Sequence, residues 1–274
     1  MTLPLMVNRR IWAWLSVRMA RQEKLRAVVL SRRSVGEADR LVTMLTREQG
    51  LLRVLAKGVR KIPSRRGGHM EPLTQVLALI SGSPGRYWLR AIETEEYFYK
   101  LHDDRRALGR ARRLAHIVVN LFEEETAYPR LFDALRQACE VLPELTYPKQ
   151  SLLEVATIML ALREGGIMPL LNRCQRCGAR RSDEAVVLDA SQGGWLCLTC
   201  LPAGQAGLPA GQAKYLPLAR AQTSLNPRVF AVLRYLAAYP EKALKLSVDE
   251  EEARQLITAA RLYISTLTMR VPAV

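Results

Sequence analysis

Residues 25–96 break into five short strand-like runs, and residues 97–274 carry helical periodicity interrupted by two CxxC pairs. These observations predict an α+β protein: an N-terminal five-stranded OB-fold barrel followed by an α-helical domain carrying a four-cysteine zinc insert. The expected layout is an N-terminal extension over 1–24, the barrel over 25–96, the helical domain over 97–173 and 201–274, and the insert over 174–200.

The strand runs come first. LRAVVLS (25–31), DRLVTMLT (39–46) and LLRVLAK (51–57) are rich in β-branched and aliphatic residues, and REQG (47–50) reads as a tight turn between the second and third. LTQVLALIS (73–81) and YWLRAIE (87–93) form another expected hairpin across GSPG (82–85). No helical pattern separates the five, which points to a small closed barrel; pattern alone also fits an SH3-like barrel. Before them, RRIWAWLSVRMAR (9–21) is a poor signal peptide, because its apolar run is broken by Ser16, ends at Arg18 and lacks a small-residue cleavage site.

After Tyr97 the period becomes helical. DRRALGRARRLAHIVVNLF (104–122) opens on an Asp cap and aligns Leu108, Ala111, Ala115, Val118 and Phe122 in a stripe. Further helices are expected over 128–142, with Pro129 in the first turn, over 151–166, ending at a glycine pair, and over 226–239, starting at Asn-Pro. A last helix over 247–267 is expected to start at a capping box, Ser247-x-x-Glu250, with acids 249–252 favoured at its positive end. AGQAGLPAGQA (203–213) reads as a connector. No run of about 18 apolar residues predicts a membrane span.

Cys174, Cys177, Cys197 and Cys200 form CQRC and CLTC, 19 residues apart. Each CxxC presents two thiolates from one knuckle turn, and four complete a tetrahedron around one zinc ion. With no open coordination position, such a site is structural. A redox pair or two disulfides would use the same residues, but the spacing suits metal in a reducing cytoplasm. VVLDASQGGWLC between the pairs reads as two short strands around a turn. Cys139 falls on the inner side of a helix and reads as a core thiol.

Formal net charge is +15, with 16 Lys+Arg against 4 Asp+Glu in residues 1–70, a net of +12. The concentration of charge points to a polyanion partner, nucleic acid or an acidic membrane surface. AKGVRKIPSRRGG (56–68) joins the third and fourth strands with Lys57, Arg60, Lys61, Arg65 and Arg66 and no acid. In a barrel it would project from the rim of the binding face, with Arg40 and Arg53 extending a phosphate track and Arg32 and Arg33 nearby. Residues 25–80 hold no aromatic residue for base stacking, so binding would be electrostatic and nearly sequence-independent. No phosphate loop, GxSxG or HExxH occurs, and His69, His102 and His116 are scattered, so no nucleophile, base and orienter assemble. Glu123–Glu125 reads as a solvated helix end. A zinc-containing nuclease and an RNA-binding barrel protein are the competing readings.

GEADRLVTMLTREQGLLRVLAKGVRK (36–61) with SRRGGHMEPLTQV (64–76), and the helical half with its CxxC…CxxC insert, resemble the RecO family of bacterial recombination mediators. That resemblance implies a non-enzymatic DNA repair role in the cytoplasm, at the nucleoid. It implies binding of single- and double-stranded DNA, annealing of complementary strands, partnership with RecR, action on SSB-coated DNA and help in loading RecA. Family members take the acidic SSB C-terminal tail on the helical domain; Arg106, Arg110 and Arg113, at i, i+4 and i+7, form a candidate dock on one helix face.

Overall fold

The computed structural model describes residues 22–59, 65–180, 183–201 and 221–270, with the side chains of 65–67, 269 and 270 left aside. The expected extension over 1–24 therefore lies almost wholly outside the described residues, as does the 203–213 connector. Two compact units emerge. One is the barrel, ending at Tyr97 and rejoined by Glu124–Ala127; the other holds Phe98–Glu123 and the chain from Tyr128 onward.

The barrel has five strands: β1 (Gln22–Val35), β2 (Asp39–Thr46), β3 (Gly50–Ala56), β4 (Gln75–Ser83) and β5 (Arg86–Glu96). They close in the order β1-β2-β3-β5-β4, with β3 and β5 parallel and the other neighbours antiparallel. This is the OB-type closure that the sequence predicts. Alternation places Ala27, Val29, Val42, Met44, Leu52, Val54, Val76, Ala78 and Ile80 inside. β1 runs longer than its apolar stretch at both ends. It bends at an irregularity between Val29 and Ser31, where pairing to β2 shifts register. Both described ends of the connection after β3 are held in place. Val59 and Met70 are buried in the barrel core, and Arg65–Met70 forms a 3-10 turn.

The second unit is built on α1 (Tyr99–Asp103), α2 (Arg105–Leu121), α3 (Pro129–Val141), α4 (Tyr147–Glu164), α5 (Pro227–Ala238) and α6 (Glu250–Arg270). Asp104 caps α2 by accepting from the N–H groups of Arg106 and Ala107 at 2.8 and 3.1 Å. α4 is the centre: every residue from Gln150 to Leu162 is buried, and α2, α3, α5 and α6 all pack on it. It begins four residues earlier than its periodicity indicates, because Pro148 fits the first turn, where its missing N–H costs nothing. The capping box of α6 differs from expectation. Asp249 accepts from the Glu252 N–H at 2.8 Å, and Glu252 accepts from the Asp249 N–H at 3.0 Å. Two overlapping S/D-x-x-E patterns compete here, and the second wins.

Between α4 and α5 lie β6 (Val186–Asp189), β7 (Gly194–Cys197) and β8 (Gln222–Leu225), a three-stranded sheet in the order β7-β6-β8. The β6–β7 hairpin matches the expected pair of strands. β8 adds a third that QTSL does not advertise. Trp195, fully buried, packs its ring 5.1 Å from Phe230 of α5. Among the described residues, no helix is long and apolar enough to cross a membrane.

Candidate nucleic-acid interface and metal centre

Five of the seven barrel cations of interest lie on described residues. Lys57 is exposed just beyond β3, and the adjacent Gly58 N–H donates to Asp39 Oδ1 at 2.8 Å, tying the connection to the start of β2. Gly58 sits at φ +67°, a conformation that favours glycine. Arg40 pairs across to Ala56 and shares the inward phase of Val42 and Met44, so it stands half-buried at the barrel mouth. Arg53 is not a free cation, because its guanidinium meets Glu124 at 2.9 Å. Arg65 and Arg66 open the 3-10 turn. Arg60 and Lys61 lie outside the described residues. Nearby, Arg32 pairs with Glu71 at 2.6 Å, whereas Arg33 is exposed.

Glu123–Glu125 is not simply a solvated helix end. Glu124 bridges Leu51 in parallel, and the Glu125 N–H donates to the Leu51 carbonyl at 2.9 Å. The Glu125 carboxylate accepts from the Gly85 N–H at the tip of the β4–β5 hairpin. Glu125 holds φ +63°, unusual for a residue with a Cβ, so the surrounding bonds must maintain it. This strap lies on the barrel unit and carries acid to it. Tyr87 packs against the barrel core, and its hydroxyl pKa is raised by burial, then by Glu125 and Glu23.

In the helical unit the three candidate tail-binding arginines separate. Arg106 is exposed. Arg110 is 6% exposed; it pairs with Glu154, donates to Ser151 Oγ at 3.1 Å and lies over the Tyr147 ring. Arg113 is half-exposed and reaches Glu154 at 3.0 Å, as Arg261 does from α6 at 3.1 Å. The three arginines therefore do not form one open face. Helical spacing could not reveal this, because the partner acid lies on another helix. Burial works against ionisation of Glu154, but Arg113, Arg261 and Arg110 together hold its pKa below the usual carboxylate value.

The four insert cysteines do converge. Their sulfurs all lie within 4.8 Å of one another, and Cys177 and Cys197 are 3.7 Å apart. A tetrahedron with metal–sulfur bonds of about 2.3 Å requires sulfur separations of about 3.8 Å, so the set fits one ion. The first knuckle closes through Cys174 N–H to the Ala179 carbonyl at 2.7 Å and Gly178 N–H to the Cys174 carbonyl at 3.0 Å, with Gly178 at φ +75°. Burial opposes a charge on Cys174, yet backbone N–H groups of Cys177, Cys197 and Arg176 bring the thiol down to about 6. Cys200 is pushed up to about 12 by hydrogen bonds with Cys197 and Cys177. Four sulfurs this close thus invite one negative charge and resist more until a cation joins them. Gly194 matters to the packing: a Cβ there would lie 2.9 Å from the Leu170 carbonyl and 2.5 Å from the Gln175 side chain. Cys139, apart from this group, is fully buried in α3, and burial raises its thiol to about 12.

Comparison with known proteins covers both units. The family profile described as "Recombination protein O N terminal" matches residues 19–98, and "Recombination protein O C terminal" matches residues 102–271. A protein named DNA repair protein RecO from Anaeromyxobacter sp. (strain K) is 33% identical over 201 residues, covering 73% of this chain and 78% of the relative. One of the same name from Roseiflexus sp. (strain RS-1) is 29% identical over 248 residues, covering 90% and 81%.

Proposed function

The chain belongs to the recombination protein O family of DNA repair proteins, and from that premise we propose that it is a mediator that works without turnover. In this reading it binds single- and double-stranded DNA, anneals complementary strands and, with RecR, helps load RecA onto SSB-coated DNA. The observation that supports the reading is the closed five-stranded barrel with Lys57 exposed just beyond β3, in a chain that the family matches over residues 19–98 and 102–271. Annealing brings two polyanions together. Cations on a tethered segment screen that repulsion without reading bases, which leaves specificity to base pairing.

Lys57, Arg60, Lys61, Arg65 and Arg66 supply the phosphate contacts, and Arg40 adds charge at the barrel mouth. Arg53 joins only if DNA draws it from Glu124. If about five cations each meet a phosphate of a single strand, log K falls against log salt with a slope of roughly −3.5. The metal is zinc, and its role is to fold the insert, because Cys174, Cys177, Cys197 and Cys200 fill all four positions. The SSB tail, if it docks on α2, meets Arg106 and the outer edge of Arg113, with Arg110 holding the helix in place. Reversing Arg106 and Arg113 should weaken binding of an acidic tail peptide, and intact affinity would remove the dock. The protein works in the bacterial cytoplasm, at the nucleoid.

The direct test is fluorescence-monitored annealing of two complementary oligonucleotides, with no nucleotide or added divalent metal. Acceleration that fades with salt and with neutralisation of the basic connection supports the mediator. Binding without acceleration refutes annealing, and metal-dependent shortening of the DNA would favour a nuclease.

A further inference from the structure

A second basic site lies in the helical unit, beside the cysteine cluster. Residues 172–180 and α5 enclose a cleft of about 440 Å³ lined by Asn172, Arg173, Arg180 and Arg234. Among the described residues, its charged lining is all arginine. None of the three forms an ion pair with a described carboxylate, unlike Arg110, Arg113 and Arg261, which share Glu154. All three are exposed.

Local geometry explains why they meet. The bond from Cys174 N–H to the Ala179 carbonyl, 2.7 Å, folds the first knuckle back on itself, so residues 173 and 180 leave it side by side. Arg234 comes from α5, where its guanidinium is anchored over the Phe230 ring at 5.8 Å, and Phe230 in turn packs on Trp195 of the insert sheet. Packing and knuckle closure thus gather three guanidiniums at one cleft, with the Asn172 amide at its edge. Like charges held together without a counter-charge cost free energy, and an anion relieves that cost. The guanidinium fork matches two phosphate oxygens at once, whereas a lone carboxylate could engage only part of a three-arginine cradle.

We infer that this cleft binds the phosphate backbone of nucleic acid, as a contact site separate from the basic connection of the barrel. The inference rests on the DNA-binding reading above. It extends that reading to the helical unit and gives the knuckle a role beyond closing the fold: it presents Arg173 and Arg180. Phosphate contacts of this kind carry no base preference.

The test is equilibrium binding of a fluorescent single-stranded oligonucleotide to the metal-loaded full chain across a salt series. Replacing Arg173, Arg180 and Arg234 together by Ala should make the log–log salt slope shallower by roughly 2, about 0.7 for each lost contact. Lysine at the same three positions should restore most of the slope. Arg234→Gln alone, remote from the cysteines, should remove about 0.7 and leave metal content unchanged. A variant neutralised in the barrel connection serves as the reference. If that variant flattens the slope while the triple variant leaves it untouched, the cleft is overturned and the DNA-binding reading stands. If the triple variant loses affinity only for an acidic peptide, the site belongs to a protein partner and the inference falls. If the unaltered protein binds no DNA, both readings fall together.

Discussion

Glu154 shows how much one side chain can organise. A carboxylate with 1% side-chain exposure serves Arg110, Arg113 and Arg261 from two other helices. Glu154→Gln would leave the buried Arg110 without its counter-charge and should cost about 3–5 kcal/mol in denaturant unfolding. Arg113→Ala, at a half-exposed partner, should cost about 1 kcal/mol or less. Because the folded pKa of Glu154 is lowered, its stabilising contribution is complete above the ordinary value of 4.5 and is lost as pH falls through the depressed one. The Glu154→Gln variant should lack that acid-side loss, which a pH series of unfolding midpoints would reveal. Cysteines give a second residue-level prediction. With metal chelated, an alkylating reagent at pH 8 should modify the exposed Cys177 in the folded protein. Cys139, buried with its thiol raised to about 12, should react only on unfolding.

At the scale of elements, legibility followed the range of the interactions. β2 matches its sequence run residue for residue, because alternation and the flanking turns are local signals. The two CxxC pairs were equally plain, since the chemistry needs only residue type and spacing. What escaped depends on partners distant in sequence. Arg110 looked like a surface cation because its acid lies 44 residues away. Glu123–Glu125 looked like a solvated helix end because its bridge to Leu51 cannot be read from periodicity. β8 is a short polar run that becomes a strand only beside β6. The cap of α6 was ambiguous between two local patterns, and Asp249→Ala should cost about 1 kcal/mol whereas Ser247→Ala should cost little. The strap also makes Gly50 irreplaceable. A Cβ there would lie 1.7 Å from the Thr126 carbonyl, at φ +69°. Gly50→Ala should destabilise the barrel by more than the roughly 1 kcal/mol of a left-handed alanine, measured by thermal unfolding.

For the whole molecule, the expected charge effects and the two-unit architecture can be measured together. The four-cysteine insert belongs to the helical unit, so if it holds a metal ion, chelation should lower that unit's transition in a calorimetric scan and leave the barrel's nearly in place. The barrel, however, is not a contiguous stretch of chain: its last piece, Glu124–Ala127, follows a helix that belongs to the other unit. Synthesis on the ribosome proceeds from the N-terminus, so the five strands emerge well before the segment that bridges Leu51 and caps Gly85. From residue 97 to residue 127 the ribosome must add 30 more residues, about 2–6 s at ordinary elongation rates. A nascent barrel therefore waits, with its β3 edge unbridged, for a piece of the following domain. The same interleaving means that a gene cut after residue 97 would pass on an unfinished barrel, so the two halves are tied to a shared inheritance.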